Sequence, residues 1–315
     1  MSARPFAITL GRRALSGVGV AWGAATLTFL AIQLTPGDPA LAIVGGPEAS
    51  PTEEVLATVR EQYGFTDPLW QQYLSYLGKL LTGDLGTSYR LHTPVTQVIG
   101  EQISGTVQLA VSAAVLAVAI AVASAVLTAK RSRPVRAVAS GAELLLTSTP
   151  SFWLGIVLLV IFSYGLRWFP SIGNDGWRSL VLPALTLALP IAALLAQVLR
   201  ASLEEALEQP FIVTARARGL GEAGVRLGHA LRHSIIPLVT MSGFVIGGLL
   251  GGAVITESLF TRQGIGRVLL AAVNGKDLPV VLGVVLLAAL VYVVVNLFVD
   301  LVYPLIDPRL KERSA

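Results

Sequence analysis

Six long blocks of apolar residues alternate with polar segments along the chain. The blocks cover residues 14–34, 106–128, 137–164, 180–199, 236–257 and 279–303. A helix needs about 20 apolar residues to cross the roughly 30 Å hydrocarbon core of a bilayer. Backbone inside lipid must also satisfy its own hydrogen bonds, which a helix does. The pattern therefore predicts an all-α integral membrane protein with six transmembrane helices.

The polar segment between the first two blocks, residues 35–105, predicts a small helical cap. Within it, LWQQYLSYLGKLL (69–81) places its apolar residues on one face at helical spacing. Gly83 and Gly86 follow and are expected to end that helix. Roughly 70 residues bury too little apolar surface to make a securely stable domain. We therefore expect this segment to lie on one membrane surface.

Composition and charge orient the predicted spans. Of all residues, 54% are hydrophobic and 13% are charged, about half the charged fraction of a soluble domain. Fifteen of the 23 basic residues fall in 1–13, 129–136, 200–235 and 304–315. Lys and Arg accumulate on the cytoplasmic side. We therefore predict that both termini (1–13 and 304–315) are cytoplasmic and that 35–105 is extracytoplasmic.

Charge, cysteine content and histidine spacing exclude other classes of site. The net charge of +4 does not indicate nucleic-acid binding, because the basic residues flank the predicted spans. The chain has no cysteine, which excludes disulfides and thiolate metal ligands. His229 and His233 are spaced to share a helix face, but no third ligand is near them in sequence. We predict no metal site.

A polar stretch before the fifth block predicts a helical hairpin inside the loop at 203–235. Pro210 suits the first turn of a helix, Gly219 suits its end, and a second helix is expected over about 221–233. Four residues share one face of the first helix: Phe211, Thr214, Ala215 and Arg218. The arginines either lie at anionic lipid head groups, or the hairpin inserts into a groove on a cytosolic partner. The residue pattern leaves both open.

Polar residues inside the apolar blocks are costly and frequently functional. Six of them are candidates for lining a polar pathway: Gln108, Gln197, Thr240, Ser242, Glu257 and Asn296. Serine and threonine also bond back to their own helix, and Glu257 is either a gate residue or a simple helix terminus. Asp300 shares a face with Asn296, and we expect it to pair with a nearby arginine.

The segment VTARARGLGEAGVRLGHALRHSIIPL (213–238) is similar to the cytoplasmic coupling loop of ABC importer permeases. Five further segments resemble dipeptide and oligopeptide permease subunits in the same order: LTPGDPA (34–40), YGFTDPLWQQYLSYLGKLLTGDLGTS (63–88), LVLPALTLALP (180–190), ESLFTRQGIGRVLLAAVNGKDLPVV (257–281) and DPRL (307–310). The chain departs from the family on the outer side, with Gln263 where a proline is common. The resemblance identifies an ABC importer permease of the dipeptide, oligopeptide and nickel family, its B-type inner-membrane subunit.

The resemblance implies the type I ABC importer permease fold, located in the cell inner membrane. It implies three kinds of partner besides lipid: a second homologous permease, two cytosolic ATP-binding subunits and an extracytoplasmic solute-binding protein. The hairpin at 209–233 would dock on the ATPases through six residues: Phe211, Thr214, Ala215, Arg218, Gly219 and Leu220. The chain lacks the G-x-x-x-x-G-K-[ST] loop that holds nucleotide phosphates. ATP and Mg²⁺ are therefore expected on the partner ATPases, with no cofactor in this chain.

The resemblance favours di- or oligopeptides as the imported solute, with nickel or metal–chelate complexes and glutathione-like compounds as alternatives. A secondary transporter is the rival function, but the blocks show no clear repeat and no mid-span carboxylate. An intramembrane hydrolase would need a nucleophile and a base within reach. Ser242 is present, but no block contains a histidine. We therefore expect a transporter rather than an enzyme, with no catalytic residues.

Overall fold

The computed structural model describes residues 3–34, 37–45, 49–174 and 176–306. At some helical positions it describes only the backbone: 3–14, 32, 42, 236, 239, 240, 242–244, 246 and 298–306. Apart from one isolated bridge between Thr87 and Pro94, all regular structure in these residues is helical, as the sequence predicts. The elements are α1 (Ala3–Gln33), α2 (Pro39–Ile43), α3 (Glu53–Gln62), α4 (Leu69–Leu81), α5 (Val95–Thr128), α6 (Arg133–Ser148), α7 (Ser151–Leu158), π1 (Leu159–Gly165), α8 (Arg178–Ala206), α9 (Pro210–Ala217), α10 (Glu222–Gly224), π2 (Val225–Ala230), α11 (Leu231–Leu259), α12 (Ile265–Asn274) and α13 (Leu278–Ile306).

Each of the six apolar blocks lies almost wholly in helix. Among the described residues, α5, α8 and residues 278–297 of α13 are long and apolar enough to cross a membrane. The pair formed by α6 with α7 and π1 makes a fourth if it is a single span, and residues 15–31 of α1 form a shorter apolar helix. Because several side chains of α11 lie outside the described ones, the count of six spans stays a prediction.

The third apolar block is broken at Thr149-Pro150. The helices on either side, Arg133–Ser148 and Ser151–Gly165, are bent by 108°. Thr149 is extended (φ −87°, ψ 125°), because a following proline disfavours the helical region for the residue before it. A proline inside a helix produces a kink, but here the helix ends at Ser148 and a new one begins at Ser151. Pro183 and Pro190, by contrast, lie inside α8 without ending it.

The helix of the second apolar block begins earlier than predicted. It starts at Val95, whereas the apolar run starts at residue 106, and it is 34 residues long. At 1.5 Å per residue this is about 50 Å, well beyond the hydrocarbon thickness of a bilayer. The residues before 106 mix polar side chains with the buried Val95, Val98 and Ile99, so α5 extends out of the apolar block into the predicted outer segment.

The chain divides into two compact units, Met1–Gly105 with Gly264–Val293, and Thr106–Gln263 with Val294–Ala315. In the first unit, α4 has the bounds 69–81 that the sequence predicts. The ring of Tyr76 in α4 stacks on the ring of Phe29 in α1, with centroids 5.8 Å apart. The hydroxyl groups of Tyr73 and Thr26 share a hydrogen bond of 2.6 Å. The helical cap is therefore fixed to α1 by aromatic packing.

A buried carboxylate fixes a second part of the first unit. Asp277, 2% exposed, accepts a hydrogen bond from the Ser88 hydroxyl and another from the Tyr89 backbone N–H at 3.0 Å. A nearby apolar cluster consists of Val95, Ile99, Ala272, Val280 and Val284. The end of the 35–105 segment is thus tied to the turn between α12 and α13.

The second unit has a core built from α5, α8 and α11. On α5, one face carries alanine at every fourth position, and all of these side chains are buried: Ala113, Ala117, Ala121 and Ala125. Small residues allow helices to approach closely in membranes. On α11, a Cβ at Gly252 would lie 2.7 Å from Leu187 of α8, whereas one at Gly251 would meet nothing within 4 Å. Gly252 therefore makes the close approach to α8.

Candidate functional site

The first helix of the predicted hairpin has the ends that the sequence predicts. α9 begins at Pro210 after an extended Gln209 and ends at Ala217. Gly219 adopts a left-handed φ of +83°. Its N–H donates to Arg216 O at 2.9 Å, and the N–H of Leu220 donates to Ala215 O at 3.3 Å. This pair of bonds closes the helix end in the manner that glycine favours.

The return arm of the hairpin is one helical run into the fifth apolar block. It consists of α10, π2 and α11, which together cover residues 222–259. The predicted second helix at 221–233 is confirmed as helical, with a π segment at Val225–Ala230. Such segments are single-turn bulges that occur frequently at functional sites. The return arm of the hairpin is therefore continuous with the start of α11.

A buried apolar cluster seats the hairpin on the second unit. It joins the end of α8, one face of α9 and the return arm: Ala129, Leu203, Ala206, Leu207, Ile212, Ala215, Val225 and Ala230. Phe211 packs at its edge, with its ring centroid 4.6 Å from that of His233. The apolar face of α9 is thus turned towards the chain itself.

Arg226 joins the return arm to the end of α5. Its Nη1 donates to the carbonyl oxygens of Val126 and Ala129, each at 2.8 Å. The last carbonyls of a helix lack intrahelical partners and carry partial negative charge, so a buried guanidinium stabilises them. The Arg226 side chain is 10% exposed and lies 3.8 Å from Glu222. Sequence reasoning missed this residue because its partners lie about a hundred positions away.

Exposed ion pairs surround the same end of the second unit. The Glu222 carboxylate accepts from Arg216 Nε at 2.8 Å, and this hydrogen bond lowers the pKa of Glu222. The Lys130 ammonium pairs with Glu208, and that bond lowers the pKa of Glu208. Surface pairs of this kind contribute little stability individually. They do fix the 129–136 loop beside the hairpin.

A buried ion pair lies in the helices that support the hairpin. Arg200 of α8 donates from Nη1 to Glu143 Oε1 at 3.0 Å and pairs through Nη2 with Oε2 of the same carboxylate. It also donates to Thr128 and Ser140, each at 3.3 Å. An alanine-rich cavity of about 130 Å³ lies beside Glu143. This pair holds α5, α6 and α8 together just before the hairpin begins.

Two of the predicted pathway residues meet at the far end of α11. Glu257 is fully buried, and its Oε1 accepts from the Thr106 hydroxyl at 2.7 Å. Gln108 is exposed, and its Oε1 accepts from Nη2 of Arg262 at 3.5 Å. The backbone N–H of Arg262 donates to Glu257 O at 2.8 Å. Burial lowers the pKa of Arg262, and the nearby Glu257 charge partly offsets this.

Two family models match consecutive parts of the chain. Residues 115–312 match the model described as "Binding-protein-dependent transport system inner membrane component". Residues 8–110 match "Binding-prot-dependent transport system membrane comp, N-term". The chain belongs to this family.

Relatives of the permease agree with that assignment over nearly its whole length. It is 38% identical over 288 residues to the "Glutathione transport system permease protein GsiC" of Salmonella choleraesuis (strain SC-B67), covering 91% of this chain and 93% of the relative. It is 36% identical over 286 residues to the protein of the same name from Escherichia coli (strain K12), with 90% and 92% covered. A crystal structure of an amino acid ABC transporter with histidines has 19% identity and a TM-score of 0.46, over 68% of this chain and 94% of that one.

Family membership settles the general class of the protein. It is an inner membrane permease component of an ABC importer in the peptide and glutathione family, with several apolar helices, and it is not an enzyme. A component of a binding-protein-dependent system acts with a solute-binding protein and with ATPase partners. The permease subunits of this family have no cofactor of their own. No group of three potential metal-ligating side chains occurs among the described residues.

The structure places the six predicted docking residues of this permease on two faces. Thr214, Arg218 and Gly219 are exposed, as is Leu220 at 41%. Ala215 is buried and Phe211 is partly buried, both against the chain itself. Helical spacing alone placed Phe211 and Arg218 on one face. It could not show which side of α9 is buried, because that depends on the residues packed against the helix.

The six predicted pathway residues are not all brought together. Gln108 and Glu257 share the cluster around Arg262, a residue that sequence reasoning missed. Gln197 is exposed on α8 and Asn296 is partly buried on α13. The side chains of Thr240, Ser242 and Asp300 lie outside the described ones. One feature of the sequence points to Arg262. It is an arginine five residues after the end of the fifth apolar block, on the side of the membrane that is predicted to be poor in basic residues.

Proposed function

We propose that this permease subunit imports small peptide-like solutes and couples to cytosolic ATPases through its hairpin at 209–233. A second homologous permease would complete the translocation pathway, and two ATPase subunits would drive it. Both termini and the hairpin would lie in the cytoplasm, because together with 129–136 and Arg200 these segments carry fifteen of the 23 basic residues. Each ATPase cycle would move the hairpin and, through the continuous helix, the start of α11.

The observation that carries the docking proposal is the orientation of α9. Its apolar face is buried in the permease, while Val213 (65% exposed), Thr214, Arg216 and Arg218 point outwards. A hairpin that lies in lipid would present its apolar face to the membrane. A seated helix with one apolar and several basic side chains exposed suits a partner groove that has acidic residues at its rim. The geometry therefore supports docking over the lipid alternative.

The proposed solute class rests on the named relatives. They are glutathione transport system permeases, and glutathione is itself a tripeptide. Peptides and glutathione-like compounds therefore share their chemistry: a few residues, amide bonds, an ammonium group and at least one carboxylate. We propose a solute of this class rather than one member of it, because the binding protein supplies most of the selection.

The docking proposal is tested by Val213→Asp combined with Arg218→Glu in the complete complex. Both side chains are exposed, so the permease should fold and assemble normally. We expect loss of ATPase co-purification and of ligand-stimulated ATP hydrolysis. Arg133→Glu is the matched control, because it reverses one exposed charge in the neighbouring 129–136 loop. If co-purification and hydrolysis are unchanged in the double variant, the docking proposal is wrong and the hairpin lies at the lipid surface.

The proposed orientation is tested with single cysteines, since the natural chain has none. Ala217→Cys in the hairpin and Glu54→Cys in α3 both replace exposed residues. A membrane-impermeant maleimide should label Cys at 217 only in inside-out vesicles and Cys at 54 only in right-side-out vesicles. Labelling of both positions from the same side would contradict the proposed topology.

The solute class is tested by uptake into proteoliposomes that contain the complete transporter, with its binding protein outside. Labelled dialanine and labelled glutathione are the probes, with ATP enclosed. We expect ATP-dependent accumulation of at least one of them. A transporter that accumulates neither, but does accumulate a nickel–chelate complex, would show that the proposed solute class is wrong.

A further inference from the structure

Arg262 is a buried arginine that takes no part in the proposed docking on the ATPases. It follows α11 by three residues and is 2% exposed. Its Nε and Nη1 atoms are buried and donate to no acceptor among the described residues. Its one side-chain hydrogen bond runs from Nη2 to the amide oxygen of Gln108 at 3.5 Å, the upper limit for such a bond.

The other two buried arginines among the described residues have no buried donor without a partner. Arg200 makes two bonds to one carboxylate, and Arg226 donates to two helix carbonyls. Burying a charged group is unfavourable unless it is paired and hydrogen-bonded. A buried polar group without a partner needs an explanation such as a bound ligand. By comparison with its two counterparts, Arg262 lacks an anionic partner.

The surroundings of Arg262 leave its guanidinium donors available. Glu257 provides a nearby negative charge, and one of its oxygens accepts from the Thr106 hydroxyl. No described carboxylate lies within ion-pair distance of the Arg262 guanidinium. Its neutral partner, Gln108, is exposed. A rotation of this single exposed side chain is enough to change the contact.

We propose that Arg262 binds a carboxylate of the imported solute at the outer end of α11, a subsite that rests on the proposed function. The guanidinium fork matches a carboxylate in two parallel bonds, which are shorter and roughly twice as strong as neutral ones. In the absence of solute, the amide oxygen of Gln108 occupies the place of one carboxylate oxygen. Arrival of the solute exchanges that long neutral bond for charge-assisted ones. Every free peptide carries a carboxylate, so the subsite fits the whole solute class.

The test compares a solute with the same solute lacking its carboxylate, in proteoliposomes of the complete complex. The probes are dialanine and dialanine amide; for glutathione, its two monoamides replace the dialanine amide. Binding protein is loaded with each probe beforehand and its loading measured, so that the transport rates refer to the permease step. In Arg262→Gln we expect dialanine transport to fall at least tenfold and amide transport less than twofold. Arg262→Lys keeps the charge without the fork and should fall between wild type and Arg262→Gln.

Gln108 supplies the matched pair of variants. Gln108→Glu provides an internal carboxylate for Arg262 and should lower dialanine transport while the complex still assembles. Gln108→Ala removes the competing oxygen and should leave dialanine transport at the wild-type rate or above it. A variant pair with identical rates would overturn the competition that the subsite requires.

Three further outcomes separate this subsite from its alternatives. If Arg262→Gln loses the second permease on co-purification, or lowers both probes equally, the arginine has a structural role and the subsite is refuted. If wild type transports dialanine or glutathione and Arg262→Gln keeps the wild-type ratio of acid to amide, the subsite fails while the proposed function stands. If wild type transports neither probe nor glutathione, the proposed function fails and the subsite fails with it.

Discussion

The burial of one face of α9 gives a prediction that compares two neighbouring residues. Ile212 is fully buried in the cluster under α9, while Val213, the next residue, is 65% exposed. Replacing a buried isoleucine with alanine removes three carbon atoms and leaves a cavity, which destabilises by about 2–5 kcal/mol. We expect Ile212→Ala to weaken the seat of the hairpin by at least about 2 kcal/mol. Val213→Ala should leave the seat unchanged.

Limited digestion with trypsin measures the local stability of the hairpin. Arg216 and Arg218 lie on the exposed side of the hairpin, and cleavage after them requires the short helix to open. When opening is fast compared with cleavage, the rate follows the equilibrium population of the open form. A loss of about 2 kcal/mol then raises the cleavage rate about 30-fold, since 1.4 kcal/mol corresponds to a factor of ten. Val213→Ala should stay within about twofold of wild type.

The assay uses purified permease in detergent, without the ATPases, so that nothing else covers the hairpin. Cleavage after Arg167, an exposed residue in the turn that follows π1, reports whether the effect is local. Equal hairpin cleavage in the two variants would refute the seating of α9. So would an equal rise at Arg167, because the isoleucine would then stabilise the whole subunit rather than the hairpin.

Three other predictions follow from named contacts. Arg226→Ala removes the two hydrogen bonds that its guanidinium donates to carbonyls at the end of α5, each worth about 1.5–3 kcal/mol. Trypsin should therefore cut the 129–136 segment at least tenfold faster. Arg218→Ala, at an exposed position, should leave that cleavage rate unchanged. Gly252→Val forces a side chain against Leu187, so it should lower the melting temperature of the purified subunit, whereas Gly251→Val should not. Burial raises the pKa of Asp38, but hydrogen bonds from Arg60 and Ala40 outweigh it and hold the pKa below 3.8. This contact therefore stabilises above pH 3.8. The protection factors for hydrogen exchange in α2 and α3, which correct for the intrinsic pH dependence of exchange, should be unchanged between pH 7 and 5 and fall only below about pH 4, a dependence that Asp38→Asn should remove.

Local sequence signals predicted the hairpin and the cap well. The bounds of α4, the start of α9 at Pro210 and the left-handed Gly219 all follow from residues within a few positions. Apolar block length predicted where the long helices lie, but not where they begin. α5 starts at Val95 because Val95 and Ile99 are buried in an apolar cluster with residues far along the chain, Ala272, Val280 and Val284. Hydropathy therefore measures the part of a helix that lipid can cover, rather than the helix itself.

Residues that act through distant partners could not be found in this way. The side-chain partner of Arg262 is 154 positions away, and the carbonyls that Arg226 binds are 97 and 100 away. In the sequence all three buried arginines contribute equally to a count of positive charge. The structure separates them by their acceptors: a carboxylate for Arg200, helix carbonyls for Arg226, and a single weakly bound amide for Arg262. Among the described buried arginines, Arg262 alone has buried donors without an acceptor, which is why we propose it, rather than Arg200 or Arg226, as the partner of a solute carboxylate.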